Sequence, residues 1–158
     1  DVYKRQPQGG RDGARPAVLD AGTGSGILAI AAARLGAAHV AAFDTDALAV
    51  RATQDNATQN GVAERILVWR GELDSTTAAA GAGPWDIVVA NILAPIIIRL
   101  LGEDGLLGYV APDGYLILSG IIDEQGPDVE AALAAAGGQV RRIISAGDWV
   151  TYVAGHRQ

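Results

Sequence analysis

The chain has 158 residues, a formal net charge of −6, a pI near 4.7 and no cysteine, and 49% of its residues are hydrophobic. That length suits one domain able to remove roughly 70% of its unfolded surface from water, and the lack of cysteine excludes a disulfide scaffold, a thiolate metal site and a cysteine nucleophile. Apolar runs stop short of the roughly 18 residues of a membrane span, and an acidic balance with Arg141-Arg142 as the one tight basic pair of the folded part argues against a nucleic-acid backbone binder, so a soluble protein of the reducing cytoplasm is expected, with a basic partner permitted.

Residues 1–16 are polar and Gly-rich without apolar periodicity, and read as a disordered leader or a fragment's end, with no secretory signal pattern. The folded domain is expected over 17–158. Residues 17–20 form a strand, 22–26 a turn, and 27–35 an Ala-rich helix closed by Gly36. A second strand spans 39–43, and Asp46 N-caps a helix that runs to Gln59 and ends at Asn60-Gly61. Strands follow at 65–69 and 85–90, joined through 72–84, whose Ala, Gly and Thr content fits a loop with room for a short helix. Residues 95–101 read as helical, Pro112-Asp113-Gly114 as a turn, 115–119 as a fifth strand, and 128–136 as a helix stopped by Gly137-Gly138. Two last runs, 139–145 and 149–154, flank Ala146-Gly147-Asp148 and suit a hairpin better than a crossover. Short apolar runs alternating with helical ones give a parallel α/β sheet covered by helices. The expected fold is Rossmann-like: a mostly parallel seven-stranded sheet with helices on both faces and a C-terminal antiparallel hairpin.

The chemistry begins at Asp20-Ala21-Gly22-Thr23-Gly24-Ser25-Gly26. A ligand lying over the end of a strand needs the backbone close to it, and glycine supplies positive φ and lacks the Cβ that would collide. A dinucleotide site would space its glycines G-x-G-x-x-G, but Ile27 stands where the third belongs and Gly26 falls one residue early. The run resembles instead the first motif of class I methyltransferases, in which the acid, here Asp20, lies near the methionine amino group. Asp44, 22 residues after Gly22 at the end of the second strand, suits the two hydroxyls of an adenosine ribose; Asp46 is its rival but fits an N-cap better. Glu72, after the third strand, is placed either to accept from an adenine amino group or to be a solvated loop residue. At the end of the fourth strand Asn91 offers an uncharged amide that both accepts and donates, which suits a nucleophilic amine.

The runs Asp20-Ala21-Gly22-Thr23-Gly24-Ser25-Gly26-Ile27-Leu28-Ala29-Ile30-Ala31, Phe43-Asp44-Thr45-Asp46, Ala90-Asn91-Ile92-Leu93-Ala94, Leu118-Ser119-Gly120-Ile121 and Gly147-Asp148-Trp149 together resemble the ribosomal protein L11 methyltransferase (PrmA-type) family over nearly everything after residue 16. The resemblance implies methyl transfer from S-adenosyl-L-methionine to lysine or N-terminal amino groups of a ribosomal protein. Gly22, Gly24 and Asp44 would bind the cofactor, with Asp20, Thr23, Gly26, Glu72 and Asn91 completing its site, and Asn91 would meet the acceptor amine. It also implies a protein partner, with no nucleic acid, membrane or metal involved. The family's N-terminal recognition domain and the Gly-Thr-Gly-x-His stretch before its first strand do not figure in this sequence, so substrate recognition is expected to need more than these residues. No strong general base is apparent; a carboxylate such as Asp20, with an ordinary pKa near 4, matches an amine's proton poorly. His39 reads as an ordinary edge histidine, His156 as part of a frayed tail, Trp69 and Trp85 as packing residues, and Trp149 as packing or pocket lining. The competing readings are a binding-only, truncated or degenerate relative, and a nicotinamide-dependent oxidoreductase.

Overall fold

The computed structural model describes residues 15–73 and 83–157. Most of the expected 72–84 connection and residues 1–14 of the expected leader lie outside the described residues. The chain divides into two compact units, 1–83 and 84–158.

In the first unit, β1 (Ala17–Ala21), α1 (Ile27–Arg34), β2 (His39–Asp44), α2 (Ala47–Gln59) and β3 (Ile66–Arg70) follow in chain order. Their strands pair in parallel in the order β3-β2-β1, with Ala21 beside Phe43 and Asp44 beside Arg70. Residues 18–21 of β1 and 40–43 of β2 are each buried in succession, the mark of strands covered on both faces. The alanines of α1 turn Ala29, Ile30 and Ala33 inward. Asp46 caps α2 as expected, accepting from the Leu48 N–H at 2.8 Å. Arg65 belongs to a 3-10 turn, not to β3. His39 opens β2, a strand flanked on both sides and not a sheet edge, and burial holds its imidazole below the usual pKa.

The second unit contains β4 (Trp85–Asn91), α3 (Ala94–Gly102), β5 (Val110–Ile122), α4 (Gly126–Ala135), β6 (Gly138–Ala146) and β7 (Trp149–His156), with strands in the order β4-β5-β7-β6. β4 and β5 are parallel; β7 is antiparallel to both β5 and β6, as the hairpin reading required. Both α3 and α4 carry proline in the first turn, where a missing N–H costs nothing, and α4 starts two residues earlier than its periodicity implied.

Two further expectations fail here. Pro112-Asp113-Gly114 is not a turn between elements but part of the 13-residue β5. β4 pairs with Val110 and then with Tyr115, so residues 111–114 stand opposite Asp86 alone as an insertion in a continuous strand. His156 is not frayed either: β7 runs through it, and its Nε2 lies 2.8 Å from the Val110 carbonyl oxygen. On β6, residues 141–146 are all exposed, and the β6–β7 register slips between Val140 and Arg142.

Candidate functional site

In the first unit the turn after β1 is built by glycine: Gly22, Gly24 and Gly26 have φ of 74, 57 and 82°, a region costly for residues with a Cβ. The N–H groups of Gly22 and Thr23 both donate to the Phe43 carbonyl, at 2.9 and 3.0 Å, fastening the turn to β2. A Cβ on Gly24 would meet no heavy atom within 4 Å, so this side of the turn is open.

Two carboxylates hold the turn through different groups of it. Asp44 accepts from the Gly24 N–H through Oδ2 at 3.0 Å and from the Asp46 N–H through Oδ1 at 2.9 Å. A carboxylate has about four acceptor positions, so two remain for a diol. Asp20 is 1% exposed; its Oδ2 accepts from the Thr23 hydroxyl at 2.8 Å and from the Ala29 N–H at 3.1 Å. The second bond satisfies a first-turn donor of α1, which has no side-chain cap of its own. Burial pushes the Asp20 carboxyl up to about 6, against the opposing pull of its hydrogen bonds to Thr23 and Ala29, so its expected ordinary pKa near 4 does not hold. Glu72 is exposed just beyond β3. Trp69, stacked on Phe43 with ring centroids 5.4 Å apart, packs as expected.

Reading by motif missed the support that α2 gives this turn. Thr53, fully buried, donates its hydroxyl to the Gly24 carbonyl at 3.0 Å, and Asn56 donates its amide to the Ser25 carbonyl at 2.8 Å. Their spacing of three on one helix face was the signal available.

The second unit places Asn91 at the end of β4, beside Ser119 of β5. Asn91, Ile92, Leu93, Ile96, Ser119, Gly120 and Trp149 line a cavity of about 520 Å³. Leu93, Ile96 and Trp149 present exposed apolar surface, Trp149 at 55%, which resolves its two readings in favour of pocket lining. Gly120 has a φ of 75°. A Cβ there would lie 2.9 Å from both Asn91 Oδ1 and the Ile92 carbonyl oxygen, so only glycine lets β5 approach the amide this closely. The β5–β7 register shifts between Leu118 and Ile121 at this same point, and bulges of this kind commonly re-aim side chains beside active sites. The Ser119 and Thr151 hydroxyls, 2.8 Å apart, tie β5 to β7 next to it.

A glycine turn after β1, an acid closing β2, an amide closing β4 and an antiparallel last hairpin on an otherwise parallel, seven-stranded α/β fold define the class I, Rossmann-like methyltransferases. Comparison narrows the class. Residues 7–157 match the family model described as ribosomal protein L11 methyltransferase (PrmA), and the chain belongs to that family. It is 45% identical over 137 residues to the ribosomal protein L11 methyltransferase of Heliobacterium modesticaldum and 47% identical over 137 residues to that of Pelotomaculum thermopropionicum, each match covering 87% of this chain and 42% of the relative. Among solved structures it superposes on the ribosomal protein L11 methylase of Lactobacillus delbrueckii subsp. bulgaricus with a TM-score of 0.81 and 36% identity, covering 94% of this chain and 73% of that one. An RNA methyltransferase of Salinibacter ruber in complex with S-adenosyl-L-homocysteine, 18% identical with a TM-score of 0.68 over 90% of this chain and 82% of that one, shares the fold. The chain spans about two fifths of the length of the curated relatives it matches.

Proposed function

We propose that this chain is the S-adenosyl-L-methionine-binding core of a cytoplasmic protein N-methyltransferase whose acceptor is an amino group, on lysine or at the N-terminus, of a ribosomal protein. What supports the reading most directly is the cavity at Asn91, where an uncharged amide stands among apolar walls. Family membership supports the methyl donor and the protein partner. The residues present fit that donor: the open side of Gly24 admits a ligand close to the backbone, and Asp44 keeps acceptor positions for ribose hydroxyls. Among the described residues no helix is long and apolar enough to cross a membrane.

In this reading Asp44 holds the ribose, while the turn from Gly22 through Thr23 and Gly24 to Gly26 carries the remainder of the nucleoside and its methionine. Asp20 ties that turn to α1 by accepting from the Thr23 hydroxyl and the Ala29 N–H. Glu72 would complete the cofactor contacts. When bound, the cofactor supplies a methyl group already activated by its positively charged sulfonium, so the protein's task is alignment. Asn91 Oδ1 accepts an N–H of the acceptor amine and turns its lone pair toward the methyl carbon. Such positioning is worth up to roughly 7–11 kcal/mol of barrier when geometry is near ideal. Trp149, Leu93 and Ile96 exclude water around the amine's aliphatic stem. The seven residues lining the cavity include no acid or base, so the amine reaches Asn91 neutral, its proton already given to solvent.

The test is calorimetric titration with S-adenosylmethionine, S-adenosylhomocysteine and NAD, followed by transfer of radiolabelled methyl to purified ribosomal protein L11 in the full-length context. Binding of the first two and label on the protein's amino groups are expected. Binding of NAD alone would replace the reading with an oxidoreductase; cofactor binding without transfer would reduce it to a binding module.

A further inference from the structure

The glycine turn is gripped from α2 by two side chains whose own helix does not need them there. A threonine inside a helix can return its hydroxyl to the carbonyl four residues back, and the exposed Thr58 of the same helix does so, donating to Gln54 O at 2.9 Å. Thr53 instead sends its hydroxyl out of the helix to the Gly24 carbonyl, at 3.0 Å. One turn further, Asn56 sends its amide to the adjoining Ser25 carbonyl at 2.8 Å. Residues three apart share a helix face, so the two donors meet two consecutive carbonyls. Asp44 takes the N–H of the same Gly24 from β2. The peptide groups on either side of Gly24 Cα are thus each fixed by a side chain from outside the turn.

The fit is reciprocal. A Cβ on Gly26 would lie 2.7 Å from Thr53 Cγ2 and 3.0 Å from its Oγ1, so the Thr53 methyl occupies the space that the third glycine vacates. This gives Gly26 a packing reason in addition to its φ of 82°. Gly24 itself stays open, since a Cβ there would meet no heavy atom within 4 Å, which leaves room for a ligand.

We propose that Thr53 and Asn56 are positioning residues of the cofactor turn: by holding the Gly24 and Ser25 carbonyls they keep the turn in the one left-handed arrangement that receives S-adenosylmethionine, without touching the cofactor themselves. The proposal rests on the reading of this turn as the S-adenosylmethionine site. Within Thr53 the hydroxyl sets the turn, and the methyl fills the space that a Cβ on Gly26 would take.

The experiment compares Thr53→Ser, which keeps the hydroxyl, with Thr53→Val, which keeps the shape and loses it, and adds Asn56→Asp, which keeps the size and loses the donor. Each variant of the full chain is titrated calorimetrically with S-adenosylhomocysteine at a temperature where circular dichroism shows it folded. Amide hydrogen exchange at Gly24 and Gly26 is followed in parallel without ligand. Thr53→Val is expected to bind about tenfold more weakly and to exchange those amides at least threefold faster, with Asn56→Asp in the same direction. Thr53→Ser is expected to restore both to within about threefold of the parent. Equal affinity and exchange in Thr53→Val and the parent would overturn the proposal, as would Thr53→Ser failing as badly as Thr53→Val. If the parent chain itself binds no S-adenosylhomocysteine, the proposed function falls on that result, while the exchange rates still decide whether the two side chains order the turn.

Discussion

Asp20 carries a measurable pH dependence into the stability of the first unit. Its carboxyl is raised from 3.8 to about 6 by burial, with the nearby Asp44 charge adding a smaller push in the same direction. At pH below about 4 the group holds its proton both folded and unfolded, and the folded chain has the full benefit of a neutral buried acid. Between about 4 and 6 the folded state keeps a proton that the unfolded state has released, so stability falls as pH rises. Above about 6 the folded state carries a buried charge, and a shift of about two units corresponds to about 3 kcal/mol, at roughly 1.36 kcal/mol per unit. Asp20→Asn removes the titration while its amide oxygen still accepts from the Thr23 hydroxyl and the Ala29 N–H. Urea unfolding of both proteins, followed by tryptophan fluorescence at pH 4, 5, 6 and 7, gives the difference in stability at each pH. Relative to the variant, the parent is expected to lose roughly 2–2.5 kcal/mol from pH 4 to pH 7, most of it before pH 6. A difference that stays constant to within about 0.5 kcal/mol would show that Asp20 is ionised throughout, and that its two donors outweigh the burial.

Three other substitutions probe the sites separately. Asp44→Ala removes the acceptor for the Gly24 and Asp46 N–H groups along with the ribose ligand, so S-adenosylmethionine affinity by calorimetry should fall at least tenfold at roughly 1.5–3 kcal/mol per charge-assisted bond. Asp46→Ala should instead cost about 1 kcal/mol of stability through its lost cap and leave affinity within a few-fold; the reverse pattern would mean that the carboxylates have been assigned the wrong way round. Asn91→Ala should leave cofactor affinity within a few-fold and lower kcat for methyl transfer in the full-length context by roughly a hundredfold or more, and equal losses of binding and turnover would take Asn91 away from the acceptor amine. Gly120→Ala must place its Cβ 2.9 Å from Asn91 Oδ1 at a φ of 75°; a loss of roughly 1–3 kcal/mol in denaturant midpoint together with lower turnover is expected, and a fully stable, fully active variant would show that β5 can withdraw from the amide freely.

The chain order of strands and helices was legible because period and punctuation agree. Alanine-rich helices end at Gly36, Gly61 and Gly137, each at positive φ, and Asp46 announces α2. The Pro112-Asp113-Gly114 run misled because turn chemistry is local, whereas its extended path is set by pairing before and after it, at Val110 and Tyr115. His156 misled for a related reason: position near the end of a chain says nothing of a carbonyl 46 residues earlier that waits to bond it. At the site, glycines, Asp44 and Asn91 stand out because they break the apolar background. Thr53 and Asn56 do not, since polar residues on a helix are ordinary and only the fold brings Gly24 and Ser25 to them. The raised pKa of Asp20 was equally hidden, because a strand-end acid gives no sign in sequence of how deeply it will be buried.

The last strand of the second unit has a consequence for behaviour at high concentration. β6 ends the order β4-β5-β7-β6, and its outer edge offers a row of backbone donors and acceptors beside the exposed pair Ile143-Ile144, a template on which another chain can add a strand. Two features blunt it. The register slip between Val140 and Arg142 bends the edge away from a flat template, and adjacent guanidinium groups sit directly before the isoleucines. Arg141 is held in place, 5.1 Å from the Tyr115 ring centre and donating to the Gly114 carbonyl at 3.2 Å, so its charge stays at the strand. Charge placed beside an exposed apolar edge disfavours fibrous self-association, and Arg141-Arg142 places it next to Ile143-Ile144.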